Sequence, residues 1–385
     1  MDNQISDGIA AYRVAVTPAQ IADLRERLRR TRWPESEPVA DWSQGMPLET
    51  IRHLCDDWLN DYDWRAVESE INGVGSFVAR VDELDIHFLH VQSRRSDARP
   101  LLITHGWPGS IIEGLDVIQG LVDPPSDQPA FHVILPSLPG YGFSAKPAQT
   151  GWGLARIADA WAELMTRLGY DRFLAQGGDW GAMVTITLAT RHPERVEMMH
   201  TTVPWAARPT GYDDARLSPV ESRWLDEYAE FGRSGRGYAL EQATRPQTVG
   251  YGLVDSPAGL LAWLGEKLHA FSDTRAGAGA VPQRRVLDTV SLYWFTASAA
   301  SAARLYWESF HGLGMPDLAT PVTVPAAVSV FPGELMKLPR EWVEERFTDL
   351  RHWSVLDRGG HFPMLEVPEV FVAELRAAFA HTLTD

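Results

Sequence analysis

Much that usually signals a protein's chemistry is missing from this 385-residue chain. Its one cysteine, Cys55, leaves no partner for an intrachain disulfide and excludes a thiolate metal cage. Lysine occurs only at 146, 267 and 337, and none of these completes the Gly-Lys-Ser/Thr of a phosphate-cradling P-loop. The twelve histidines form no His-Glu-x-x-His zinc helix. Gly73-Val-Gly75 and Gly312-Leu-Gly314 lack the third glycine of a dinucleotide loop and read as turns. Positive charge is also short: Lys+Arg 35 against Asp+Glu 51 gives −16, which argues against nucleic acid as a partner. No apolar run approaches the ~18 residues of a membrane span, and the start lacks the basic and apolar regions of a secretory signal. We therefore expect a cytoplasmic protein without a membrane anchor.

What is present is an ordinary globular composition, 45% hydrophobic and 22% charged. Arginine supplies 35 − 3 = 32 of the basic residues, a skew toward GC-rich codons that points to a high-GC bacterium. The chain divides into three zones.

Residues 1–95 open with a helix in TPAQIADLRERLRRTRWP, where Thr17 can cap, Pro18 suits the first turn, and Ile21, Leu24 and Leu28 share one face. The opposite face carries Arg25, Arg27, Arg29, Arg30 and Arg32, which reads as a solvated face rather than a membrane-binding one. Helical patterns around 47–60 and 63–71 lead to the alternating runs SFVARV and LDIHFLHV, a predicted hairpin.

Residues 96–203 repeat a strand-then-helix rhythm. The apolar runs at 100–104, 131–136 and 172–176 have the character of buried parallel strands, and helical patterns follow at 153–168 and 181–191. Residues 204–320 are mostly helical and interrupt that rhythm, which resumes over 321–385 with strands at 324–332 and 352–356 and helices near 339–346 and 366–381. Such an insertion is expected to be a lid (cap) over the carboxyl ends of the parallel strands, where open α/β sheets bind ligands. The fold class is thus α/β: an α/β-hydrolase fold with a mainly parallel central sheet, a helical lid insertion and an N-terminal helical and hairpin extension.

Three motifs carry chemistry. Gly177-Gly178-Asp179-Trp180-Gly181 lies between a strand and a helix in the form of the nucleophile elbow, with Asp179 at the nucleophile position. The bland alternative is an Asp that merely caps the helix. His105-Gly106-Trp107-Pro108-Gly109-Ser110 follows the strand at 100–104, where this fold presents a backbone N–H to an oxyanion; Trp107 and Trp180 are the candidate oxyanion-hole donors. His105 itself reads as structural. His361, in Gly359-Gly360-His361-Phe362-Pro363 after the last strand, stands where the fold places its general base. The acid that orients it must fall between 179 and 361; Glu334 fits best, with Asp317 and Asp357 as alternatives.

An Asp nucleophile points away from esters. A serine that displaced at saturated carbon would leave an ether that histidine and water cannot cleave, whereas a carboxylate leaves a cleavable ester. The substrate is therefore an alkylating electrophile, an epoxide or a haloalkane. A halide leaves already ionised and needs weak donors such as the Trp180 indole, while an epoxide oxygen needs an acidic O–H, which Tyr238 or Tyr306 in the lid could supply. Composition does not choose between them.

The motifs taken together resemble the microsomal-type epoxide hydrolases: HGWPGS (105–110), PSLPGYGFS (136–144), GGDWG (177–181), RPQTVGYGLVDSPAGLLAWLGEKL (245–268), FPGELM (331–336) and RGGHFP (358–363), with the first zone resembling that family's N-terminal region. The resemblance implies Asp179 as nucleophile, His361 as base, Glu334 as its acid, and Tyr238 and Tyr306 as the pair that hydrogen-bonds the epoxide oxygen, with Trp107, Trp180 and both tyrosines lining the substrate site. It implies conversion of an epoxide and water to a vicinal diol with no cofactor and no metal. Animal members carry an N-terminal membrane anchor, whereas this chain begins almost directly at its amphipathic helix, as a soluble bacterial member would. Members of this branch from high-GC bacteria act in natural-product pathways, including those of enediyne antibiotics; Trp107, Trp152, Trp180 and the aromatic lid would suit a bulky apolar or aryl epoxide. A homodimer is left open. The rivals are a haloalkane dehalogenase with the same nucleophile and a catalytically inactive hydrolase-fold binding protein.

Overall fold

A computed structural model describes residues 8–275, 280–310 and 318–380; Asp317 lies outside them. Nine strands form one sheet among the described residues: β1 (Ile9–Ala11), β2 (Ser76–Val81), β3 (Leu84–Val91), β4 (Arg99–Thr104), β5 (Phe131–Pro136), β6 (Phe173–Gly177), β7 (Val196–Thr201), β8 (Ala326–Val330) and β9 (Leu350–Val355). Their order is β1-β2-β3-β5-β4-β6-β7-β8-β9. The first four in that order pair antiparallel, and β5 through β9 pair parallel.

The continuous apolar runs are buried because helices cover both faces of a parallel sheet. Residues 101–103, 133–135 and 173–175 are fully shielded. The helix Trp180–Arg191 is apolar nearly all round and correspondingly buried. Each of Val184, Ile186 and Leu188 then contributes roughly 1.5–3 kcal/mol relative to exposure. Trp161, on the helix Leu154–Arg167, is likewise buried and donates its indole N–H to Thr104 Oγ1 at 3.1 Å.

Two strands escape the sequence reading. β7 lies in RVEMMHT, a run too mixed in polarity to stand out, and β1 is three residues long. The hairpin forms as predicted, with Phe77 opposite Phe88. Thr17 and Gln20 form a capping box on the helix Pro18–Arg29, and Arg27 on its polar face pairs with Asp23 and Asp255, as a solvated face does. No helix among the described residues is long and apolar enough to cross a membrane. Cys55 is buried, and burial followed by the Asp56 charge pushes its thiol up to about 12, so it packs as an inert hydrophobe.

Between β7 and β8 the described chain is helical. Its helix Gln283–Thr296 docks on the N-terminal region: Ser291 Oγ accepts the Trp58 indole N–H at 2.8 Å, and Asp288 accepts the Tyr62 hydroxyl at 2.8 Å. Arg285 of the same helix bonds Asp116, Glu70 and Asp288 at once. N-terminal region, helical insertion and sheet domain are thus joined at one ionic node whose centre, Arg285 and Asp288, is buried.

Candidate active site

The chain changes direction across the sheet at β4: β5 lies on one side of it and β6 on the other. Ligands of open α/β sheets bind outside the carboxyl ends of strands at such a switch point. Register pairs Thr104 with Gly177, so the loops leaving β4 and β6 emerge side by side.

Asp179 occupies the sharp turn after β6 with φ 51° and ψ −127°, a conformation that costs a non-glycine residue of order 1–3 kcal/mol. The flanking glycines make the turn feasible. A Cβ on Gly177 would lie 2.0 Å from Gly181 O, and one on Gly181 would lie 1.8 Å from Thr104 O. The Asp179 side chain makes no cap hydrogen bond, which removes the helix-capping alternative. Its Oδ1 accepts the Trp107 N–H at 2.7 Å, and its Oδ2 lies 3.2 Å from His361 Nε2.

His361 Nδ1 sits 2.9 Å from both oxygens of Glu334. The two residues follow β8 and β9, and a parallel bridge between Gly333 and Gly360 sets their loops together. Glu334 is only 2% exposed, and its Oε1 also accepts the N–H groups of Leu335 and Met336. Asp357 is exposed. Burial pulls the His361 imidazole down, but the charges and hydrogen bonds of Glu334 and Asp179 outweigh it and raise the group well above 6.5.

His105 is structural as expected. Its Nε2 accepts the Leu138 N–H at 3.1 Å and its Nδ1 lies 2.9 Å from Gly106 O, so it bolts the loop after β4 to the loop after β5. Burial lowers it to about 4 and keeps it neutral.

Tyr238, on the helix Gly237–Thr244, stacks on Trp107 at 4.8 Å between ring centroids. Tyr306, on the helix Ala299–Glu308, meets Trp107 and Trp180 edge-on at 5.8 and 4.7 Å, and the two tyrosine rings lie 6.0 Å apart. Burial and then the Asp179 charge raise the Tyr238 hydroxyl; burial, Tyr238 and then Asp179 raise that of Tyr306. Both hydroxyls therefore stay protonated, as donors must. Trp152 is placed elsewhere, in a groove of about 540 Å³ with Pro139, Arg245 and Arg304, where Arg156 lies 4.3 Å over its ring. That groove contains neither Asp179 nor the tyrosines.

Three residues beside the carboxylate were missed by sequence reasoning. Glu113, Gln176 and Thr202 line a cavity of about 20 Å³ together with Asp179 and His361. Burial raises the Glu113 carboxyl to about 8. Its only sequence signal is an acid eight residues after His105, in a helix too short to show a period.

Fold and site define an α/β-hydrolase-fold enzyme with a carboxylate at the elbow. Residues 9–114 match the epoxide hydrolase N terminus, and residues 99–237 match the alpha/beta hydrolase fold. Epoxide hydrolase 1 of Sus scrofa is 31% identical over 96% of this chain and 88% of its own length. An inferred epoxide hydrolase of Stigmatella aurantiaca is 47% identical over 97% of this chain and 85% of its own. The crystal structure of juvenile hormone epoxide hydrolase from the silkworm Bombyx mori superposes with a TM-score of 0.91 at 29% identity, covering 99% of this chain and 96% of that one. The chain belongs to the microsomal-type epoxide hydrolase family, and it is a hydrolase that acts on epoxides. The dehalogenase and binding-protein alternatives give way to it.

Proposed function

We propose that the chain opens an apolar or aryl epoxide to a vicinal diol through a covalent ester on Asp179. The observation that carries this reading is the division of labour between the two Asp179 oxygens: one is held by the Trp107 N–H, the other faces a histidine backed by a carboxylate. In the first step Oδ2 attacks a ring carbon, the C–O bond of the ring breaks, and the alkoxide takes a proton from Tyr238 or Tyr306. In the second, water gives a proton to His361 Nε2 and attacks Cγ. The charge that forms on Oδ1 is stabilised by the Trp107 N–H, with the Trp180 N–H as the second donor. Collapse breaks the Cγ–Oδ2 bond, the leaving alkoxide takes the remaining proton of the attacking water from the Asp179 carboxyl to complete the diol, and the proton on His361 returns to the tyrosinate.

Alkylation itself times these roles. Converting Asp179 to a neutral ester removes one cause of the raised tyrosine hydroxyls, which makes them better acids as the alkoxide appears. It also removes the Asp179 contribution that keeps His361 protonated, which favours the neutral base needed next.

The rings of Trp107, Trp180, Tyr238 and Tyr306 around Asp179 support a bulky apolar or aryl substrate, and the described helices between 204 and 310 serve as its lid. The finer reading, an epoxide of natural-product assembly such as enediyne antibiotic biosynthesis, is compatible with the arginine skew of a high-GC source, which does not select it, and is checked by mapping the neighbouring genes. The mechanism is tested with His361→Gln exposed to styrene oxide. Mass spectrometry should find the epoxide mass on the peptide containing Asp179; a folded, ligand-binding variant without that adduct overturns the covalent route.

A further inference from the structure

The cavity of about 20 Å³ beside the Asp179 carboxylate has a composition that the alkylation step does not explain. Gln176 and Thr202 both line it and are each 1% exposed, and Gln176 Oε1 and Thr202 Oγ1 are buried without a hydrogen-bond partner among the described residues. Two orphaned polar atoms on residues that line one small space are costly unless a ligand satisfies them. A water molecule needs roughly 10–15 Å³ of such space and 2–4 polar partners, so the cavity suits one water and little else. Its remaining walls include Asp179 and His361, the atoms between which the second step must deliver a water.

We propose that Gln176 and Thr202 are the water-positioning pair of the hydrolytic step and hold the attacking water against Asp179 Cγ and His361 Nε2. The assignment rests on the covalent-ester reading. The hydrogen bonds balance. One water O–H gives its proton to His361 Nε2, and the other donates to Gln176 Oε1. One lone pair attacks Cγ while the second accepts the Thr202 hydroxyl. Gln176 lies on β6, three residues before Asp179, and Thr202 directly follows β7, so both partners sit on rigid sheet elements rather than on the lid. Glu113 closes the same cavity. Its Oε1 accepts the Ser110 N–H at 3.2 Å, in a space that Gly109 leaves free, since a Cβ there would lie 1.7 Å from that oxygen. Burial holds Glu113 protonated at neutral pH, so it adds no negative charge opposite the forming oxyanion.

The test is single-turnover quenched flow with styrene oxide on the full chain, comparing Thr202→Val and Gln176→Met, which keep shape and remove the polar atoms. Each variant should alkylate within about twofold of the parent rate and hydrolyse its ester at least about tenfold more slowly, so that ester accumulates in steady state. Thr202→Val should melt no higher than the parent, because its hydroxyl is satisfied by water rather than orphaned. Hydrolysis within about twofold of the parent in both folded variants, or equal slowing of both steps, overturns the assignment. Should one variant not fold, the other decides; should neither fold, a high-resolution crystal structure with no ordered water touching both atoms overturns it. Absence of the Asp179 adduct in His361→Gln would instead remove the covalent reading and this one with it.

Discussion

A Cβ placed on Gly106 would stand 2.3 Å from Asp179 Oδ1, the oxygen that the N–H of the next residue, Trp107, holds at 2.7 Å. The loop after β4 approaches the carboxylate so closely that backbone is admitted and a side chain is not. Gly106→Ala must therefore push the carboxylate out of line. A displacement of about 1 Å is enough to cost roughly 100-fold. We expect alkylation by styrene oxide to slow by about that factor while circular dichroism stays that of the parent; a rate within twofold would contradict the packing argument.

In the proposed mechanism the tyrosines act at a different step from His361. Replacing Tyr238 or Tyr306 by Phe removes a protonated donor but keeps the ring packed on Trp107, so the fold is preserved. General-acid assistance is worth about 10²–10⁴-fold in total. Each single variant should slow alkylation about tenfold or more, and the double variant should approach the full loss. Stopped-flow tryptophan fluorescence reads this directly, since Trp107 borders both rings and Trp180 borders that of Tyr306.

A buried acid offers a pH test of stability. Glu366 accepts the N–H of Asp273 at 2.7 Å and of Phe362 at 2.9 Å, tying the His361 loop to the helical insertion. Burial raises its carboxyl to about 7. The folded form thus holds a proton that the unfolded chain releases near its ordinary value of about 4.5, so this contribution is complete below that pH and lost as pH rises through about 7. The melting-temperature advantage of the parent over Glu366→Gln should shrink across that window and then level off. An advantage that grows with pH would refute the assignment.

The ionic node at Arg285 should be costly to break. Arg285→Met leaves the buried Asp288 without its cation, and removing one partner of a buried pair costs about 3–5 kcal/mol. The double variant Arg285→Met/Asp288→Asn should recover part of the loss in a denaturant titration. Additive losses would mean that the node is not coupled.

The site was legible where its chemistry is written into local backbone. Gly177 and Gly181 flank Asp179 because the turn has no room for side chains, and spaced glycines remain visible in one dimension. Glu334 could be chosen over Asp357 only by position, and its burial was needed to settle the geometry. Place in the lid made the tyrosines candidate donors and only resemblance made them the pair, since a packing tyrosine and a donor look the same in sequence. Trp152 was grouped with the substrate-lining rings, yet the loop that carries it turns toward another groove.

By itself the sequence determined the elements and the elbow: apolar runs of strand length, helical periods, capping residues and glycines act over a few neighbours. Only the tertiary structure decided what faces what. His361 meets Asp179 across 182 residues of chain, through the pairing of Thr104 with Gly177 and the bridge between Gly333 and Gly360. The small cavity, with Gln176 Oε1 and Thr202 Oγ1 unpartnered among the described residues, depends on the same register, because burial of a polar atom belongs to the assembled sheet and not to any segment of it.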